Sequence, residues 1–244
     1  MRPTCPLVAL AALTFAVPVA AQDNLVTLGY FITVRTEHLS DFEEAARKHN
    51  DWHADQNDPQ AWVAYQAFTG HGEFAFLAPD MSWASLDAPA VDMASDVAQW
   101  ADSGAEFVET EDVVLWTTIP GGNPPEDATQ YPVVQVYEFE INPGGQAAAT
   151  NTIQRANEAL QRTNIHFEWS ALVSQDGPPS VFLALWFQSF AELGTPGPGP
   201  DRIMADAFGP AQGARILASF NEATTARSSQ IWVLRPDLSY FPGM

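Results

Sequence analysis

Residues 30–86 read YFITVRTEHLSDFEEAARKHNDWHADQNDPQAWVAYQAFTGHGEFAFLAPDMSWASL, a stretch whose patterning predicts strand, helix, strand, strand. The same programme returns over residues 137–193. An ungapped superposition sets Tyr30 on Tyr137, Asn50 on Asn157, Asn57 on Asn164 and Trp62 on Trp169. It continues through Ala64 and Ala171, Gly70 and Gly177, Ser82 and Ser189, Ala84 and Ala191, and Leu86 and Leu193. The number of identities is modest. The weight lies in tryptophan falling on tryptophan and in a register kept across three element boundaries, so the reading is a duplicated unit.

Within the first copy, residues 25–34 alternate, with Tyr30, Ile32 and Val34 on one face and Phe31, Thr33 and Arg35 on the other. Ser40 with Glu43 suggests a capping box for a helix running to about Gln56, whose inward face is Phe42, Ala45, Ala46, His49 and His53. Asn57-Asp58-Pro59 ends it. Strands at 61–69 and 73–78, joined by Gly70-His71-Gly72, are too close to be anything but an antiparallel hairpin. Ser82 opens a helical region that Pro89 interrupts and that resumes over about 91–108, before a closing strand at 113–119. The order is βαββαβ, a ferredoxin-like pattern.

Residues 120–127 are too rich in Pro and Gly for any element. The expected division is therefore a first unit at 22–120, a linker at 121–131 and a second unit at 132–244. The second unit repeats the order, with a strand at 132–141, a helix at 146–163 and a hairpin over 169–187. A Gly/Pro loop at 194–200 follows, then a helical segment at 201–227 bent at Gly209-Pro210, a strand at 230–234 and a tail.

Composition narrows the partners. The chain has 244 residues, 46% of them apolar and only 16% charged, enough to bury a core in each unit. Ten basic residues face thirty acidic ones, for a net charge of −20. Such a surface repels phosphate backbones and anionic headgroups, which argues against nucleic acid and acidic membranes. Residues 1–21 carry Arg2, an apolar run and Val19-Ala20-Ala21, the pattern of a signal peptide cleaved before Gln22. The apolar run is too short to span a bilayer. A periplasmic or secreted protein is expected. Cys5 would leave with the leader, so the mature chain would hold no disulfide, thiolate nucleophile or zinc-thiolate site.

Two βαββαβ units in one chain resemble a fused form of the dimeric α/β barrel superfamily, on their element order, repetition and phrases such as Ser82-Trp83-Ala84-Ser85-Leu86. The superfamily includes the NIPSNAP group, cofactor-free monooxygenases related to antibiotic biosynthesis, and chlorite-dismutase-like haem proteins. The resemblance implies an α+β fold in which two tandem ferredoxin-like units pack antiparallel sheets face to face as a pseudo-dimeric α/β barrel. The sheet faces turned away from the helices would then line a lumen. Parity assigns Phe31, Thr33, Arg35, Val63 and Tyr65 to it from the first copy. Glu138, Glu140, Glu168, Ser170, Leu172 and Trp186 come from the second. Such a pocket suits a small apolar or aromatic ligand.

Glu138, Glu140 and Tyr65 are the candidates for proton transfer, since carboxylates in a low-dielectric lumen have raised pKa values. The plainer reading of Glu138 and Glu140 is a hydrated rim, paired with Arg35. His49 and His53 are four apart on a helix, a spacing that can place two imidazoles on one metal. The repeat sets Ala156 and Leu160 in their places, so packed histidines and no metal are expected. Haem would need an axial histidine, and the second copy offers only His166; His38, His49, His53 and His71 sit in no motif. No cofactor is expected. A ligand-binding protein without catalysis is the first expectation, a cofactor-free monooxygenase the second and a haem protein the third.

Overall fold

Strand β1 (Val26–Val34) turns Ile32 and Val34 outward against Phe42 and Ala46 of α1 (Leu39–Asp55). It turns Phe31 inward onto a cluster that includes Tyr65, Val134 and Trp232. This two-sided burial runs through a computed structural model that describes residues 25–70, 72–195 and 197–243. The expected signal peptide, Cys5 and His71 lie outside the described residues.

The first half continues with β2 (Val63–Ala67), β3 (Glu73–Met81), α2 (Trp83–Asp87), α3 (Met93–Ser103) and β4 (Val108–Thr118). The second holds β5 (Val133–Ile141), α4 (Gln146–Thr163), β6 (Glu168–Ser174), β7 (Ser180–Phe187), α5 (Phe190–Leu193), α6 (Pro200–Phe208), α7 (Pro210–Ala223) and β8 (Thr224–Leu234). The fold is α+β. Among the described residues no helix is long and apolar enough to cross a membrane.

All strand pairs are antiparallel, and the order β1-β3-β2-β8-β5-β7-β6-β4 closes into one barrel. The sheets are therefore not merely stacked face to face, as expected. They are hydrogen-bonded edge to edge at two seams. At the first, Tyr65, Gln66 and Ala67 of β2 pair with Leu234, Val233 and Trp232 of β8. At the second, Trp116, Thr117 and Thr118 of β4 pair with Ser174, Val173 and Leu172 of β6. Among the described strands closure leaves no unpaired edge, the feature that makes open sheets prone to aggregate.

Several residues that the sequence superposition sets on one another hold matching positions. Asn57 and Asn164 follow the C-termini of α1 and α4 with φ of 56° and 52°, a left-handed conformation that Asn tolerates better than most residues. Ser82 and Ser189 cap α2 and α5, accepting hydrogen bonds from Ser85 N–H at 3.1 Å and Glu192 N–H at 3.2 Å. Ala64 and Ala171 are completely buried where helix meets sheet.

Three boundaries differ from expectation. Helix α1 starts at Leu39, after a 3-10 turn at Thr36–His38, so Ser40 lies inside the first turn and no side chain caps it. Strands β4 and β8 begin at Val108 and Thr224, well before the predicted 113 and 230. Their early residues are polar and mostly exposed, which hides them from apolar patterning, and ladder bonds to β1 and β5 hold them. The C-terminal tail is docked. Leu238 is fully buried in the first half's core, and Tyr240 exchanges backbone hydrogen bonds with Trp62 at 2.9 and 3.0 Å.

Candidate functional site

Inward-pointing residues of the eight strands leave a cavity of about 610 Å³ inside the barrel. Its walls are largely aromatic and aliphatic: Phe31, Leu77, Trp116, Val134, Val136, Leu172, Phe182, Trp186 and Trp232 all reach it. Trp116 packs edge-on against Phe31 and Phe182, with ring centroids 5.6 and 5.3 Å away, the arrangement that aromatic quadrupoles favour. It can lie there because Gly29 has no side chain. A Cβ at Gly29 would fall 2.3 Å from Trp116 Cζ3.

Polar groups interrupt this wall, Thr33, Glu73, Asp112, Glu138, Ser170 and Arg227 among them, and some pair with one another. Ser228 Oγ donates to Glu138 at 3.2 Å, and Arg227 Nη1 stands 3.5 Å from the same carboxylate. Gln230 donates to Glu73, another lining residue. Tyr65 is 6% exposed, and burial pushes its phenol above the usual value, so it stays a neutral hydroxyl at physiological pH. The indole N–H of Trp116 is buried with no hydrogen-bond partner, and that of Trp186 is buried next to the Tyr65 hydroxyl but outside hydrogen-bond geometry. An unpaired buried donor costs about 1–3 kcal/mol, which makes two on one cavity wall notable.

Of the residues that parity assigned to the lumen, Phe31, Thr33, Tyr65, Glu138, Ser170, Leu172 and Trp186 line this cavity together. Val63 packs in the inner apolar cluster without lining it. Arg35, Glu140 and Glu168 do not line it. Arg35 follows the last residue of β1, where the chain turns, and its guanidinium donates to the Glu106 carbonyl at 3.3 Å. It pairs with neither Glu138 nor Glu140; Arg227 does. A bulge in the β5–β8 ladder between Glu138 and Phe139 brings Arg227 to within 3.8 Å of Glu140, which is itself exposed. Glu168 instead accepts from Asn123 Nδ2 at 2.8 Å, beside the linker. Parity did not single out Trp116, Phe182, Glu73 or Arg227; Trp116 was visible as an aromatic on a strand, but Arg227 depends on the bulge.

Among the described residues no histidine lines the cavity: His38, His49 and His53 lie on the outer side with α1, and His166 is exposed beside β6. Among the described residues the lumen thus offers no imidazole of the kind a histidine-ligated haem requires.

No known protein-family profile matches the sequence, and no curated protein matches it significantly. Solved structures do share its shape. An anthrone oxidase-like protein superposes with a TM-score of 0.58 at 10% identity, over 91% of this chain and 95% of that one. A protein from Lactobacillus acidophilus, provisionally named a monooxygenase, gives 0.56 at 8% identity over 90% and 97%. A variant of chlorite dismutase from Candidatus Nitrospira defluvii gives 0.55 at 8% identity over 88% and 93%. The fold is that of the dimeric α/β barrel proteins.

Proposed function

We propose that this chain is an exported tandem of two ferredoxin-like units whose common lumen binds a small, flat, apolar or aromatic molecule carrying an acceptor oxygen. The observation that carries the reading is the cavity wall: large aromatic rings on a mainly apolar surface, with the buried indole donors of Trp116 and Trp186 making no hydrogen bond. Ring faces and edges supply affinity by excluding water, and an oxygen acceptor on the ligand offsets the donors' unpaired cost. The test uses quenching of tryptophan fluorescence by menadione, a flat quinone, with naphthalene as the oxygen-free comparison. Menadione should bind at least about tenfold more tightly, the worth of one net hydrogen bond of roughly 1.4 kcal/mol. Ala184→Phe, which fills the lumen, should weaken both. Equal affinity for the two probes, or binding unchanged in the filled variant, would overturn the proposal.

A second reading, oxygenation without a cofactor, is favoured by one observation: Tyr65 and Glu138 line the same cavity as the aromatic wall. The likeness to an anthrone oxidase-like protein points the same way. In this reading the neutral Tyr65 hydroxyl is a hydrogen-bond donor to a ligand oxygen, and Glu138 is the proton acceptor. Oxygen uptake with anthrone as probe tests it. Glu138→Gln and Tyr65→Phe should each lower the rate at least about 100-fold, the lower range of general acid–base contributions. Unchanged rates would remove both residues from the chemistry.

A further inference from the structure

Outside the barrel, between α1 and α3, three side chains turn one atom each toward a common point. His49 Nε2 and His53 Nε2 are 3.2 Å apart. Asp96 Oδ1, from α3, lies 3.3 Å from the first and 3.4 Å from the second. The triangle is nearly equilateral. A tetrahedral ion held at about 2.0–2.1 Å by each of three ligands separates them by roughly 3.3–3.4 Å. The observed edges match one face of such a tetrahedron.

Hydrogen bonding on the far sides of the rings sharpens the point. His53 Nδ1 lies 2.7 Å from Asp58 Oδ2, and His49 Nδ1 bonds Gln99 Oε1. Both partners are acceptors, so each Nδ1 carries a proton, and a neutral ring then presents its Nε2 lone pair. With both rings neutral, two lone pairs and a carboxylate oxygen meet within 3.4 Å; the alternative occupant of that space is a proton on His53 Nε2 donated to Asp96, which a bound ion would displace. Asp58 is fixed in turn, because its other oxygen accepts the Gln60 N–H at 2.9 Å and its carbonyl accepts the Tyr240 hydroxyl at 2.8 Å. An outer carboxylate that orients a histidine and fixes its tautomer is the usual companion of a metal-bound imidazole. Trp52, Trp62 and Trp100 surround the rings, with centroids 4.7 to 6.5 Å from one imidazole or the other. His49 and Asp96 keep 19% and 30% of their side-chain surface, so an ion can reach them from solvent.

We infer that His49, His53 and Asp96 form a binding site for a divalent transition-metal ion of zinc-like, tetrahedral preference, with Asp58 and Gln99 as the orienting outer partners. Three protein ligands leave a fourth position for water. The ion joins α1 to α3. That matters for a helix none of whose residues is buried.

The full-length chain, stripped with EDTA and dialysed, is titrated with zinc against a chromophoric chelator and separately with cobalt. One zinc per chain should bind, and cobalt should give the intense visible bands of a tetrahedral site. Asp96→Asn, nearly isosteric, and His49→Ala should each weaken zinc at least about 100-fold, and Asp58→Asn by about 10–100-fold. Zinc should also raise the melting temperature of the wild type and not that of Asp96→Asn. Absence of a stoichiometric site in the wild type, or zinc affinity and cobalt bands that survive both ligand substitutions, would overturn the proposal. Cobalt bands are read on the unaltered protein, so a variant that fails to fold leaves the test intact.

Discussion

The helix-covered faces of the two halves carry the same register and opposite chemistry. Where α1 holds His49 and His53, α4 holds Ala156 and Leu160, packed among Ile203, Met204, Phe208 and Ile216 of the helices above. Hydrocarbon at these positions satisfies the fold in the second half. The first half instead holds a polar cluster that must be desolvated, a cost the architecture does not require. The lumen shows a second asymmetry. Gly29 makes room for Trp116, whereas Val136 of β5, which the sequence superposition matches to Gly29, keeps a side chain in the apolar cluster that holds Trp232. Differences of this kind between the two halves are where function is to be sought.

The largest effect is expected from forcing one face to imitate the other. In the metal-free protein, His53→Leu installs the residue that α4 carries but strips Asp58, whose side chain is only 8% exposed, of its partner at 2.7 Å. Breaking a buried pair in this way costs about 3 kcal/mol. Adding Asp58→Asn removes the stranded charge and should recover at least half of the loss, measured by urea denaturation of the single and double variants. If the single change is neutral, the polar cluster is not costly and the contrast between the faces loses its meaning.

Next comes the lumen. Gly29→Ala puts a methyl group against the Trp116 ring and should cost about 1–3 kcal/mol through overpacking. The tryptophan emission should change with it, since the ring must move. A smaller and equal loss is expected at the two helix ends. Asn57→Ala and Asn164→Ala each force a left-handed residue with a Cβ and no side-chain hydrogen bond, at about 1 kcal/mol. Glycine at either position should be close to neutral. Unequal losses in denaturation would show that the matched asparagines do different work.

Much of this architecture was legible because strands buried on both faces alternate between two kinds of apolar surface. Parity alone separated Phe31, Tyr65 and Leu172 from Ile32, Ala64 and Val173. What escaped depends on contacts across long stretches of sequence or on local breaks in regularity. Arg35 fell outside the lumen because β1 ends one residue before it. Arg227 reached Glu138 because a bulge shifts the ladder. Asp96 meets His49 and His53 only when α3 crosses over α1, and no fixed spacing announces such a crossing. Asp58 alone left a local trace, five residues after His53 and just past the left-handed Asn57. The sheet closure had no trace either, since three backbone pairs at each seam are blind to side-chain identity.

The seams extend the contrast to acid. Around the β2–β8 seam, Arg235 donates to Glu43 at 2.6 Å and Gln66 at 2.7 Å, and Asp237 accepts from Arg235 and Arg47 at 2.9 Å each. Among the described residues no ion pair crosses the β4–β6 seam, where Gln175 donates to Thr117 and Leu115 N–H donates to Asp176. The hydrogen bond from Arg235 holds the Asp237 carboxyl down at about 2 and lowers Glu43 as well. A carboxylate depressed on folding stabilises the protein fully above its unfolded pKa, about 3.9 for Asp. That contribution disappears as the pH falls through the folded value. The β2–β8 seam should therefore weaken between about pH 4 and pH 2 while the other seam does not. Asp237 keeps 44% of its side-chain surface, so solvent screens the pair and the loss is a few tenths of a kcal/mol to about 1 kcal/mol. Hydrogen exchange at the Gln66 and Val233 amides, followed against the Thr117 and Val173 amides as the pH is lowered, should report the first seam opening earlier. Asp237→Asn should shrink the difference between them.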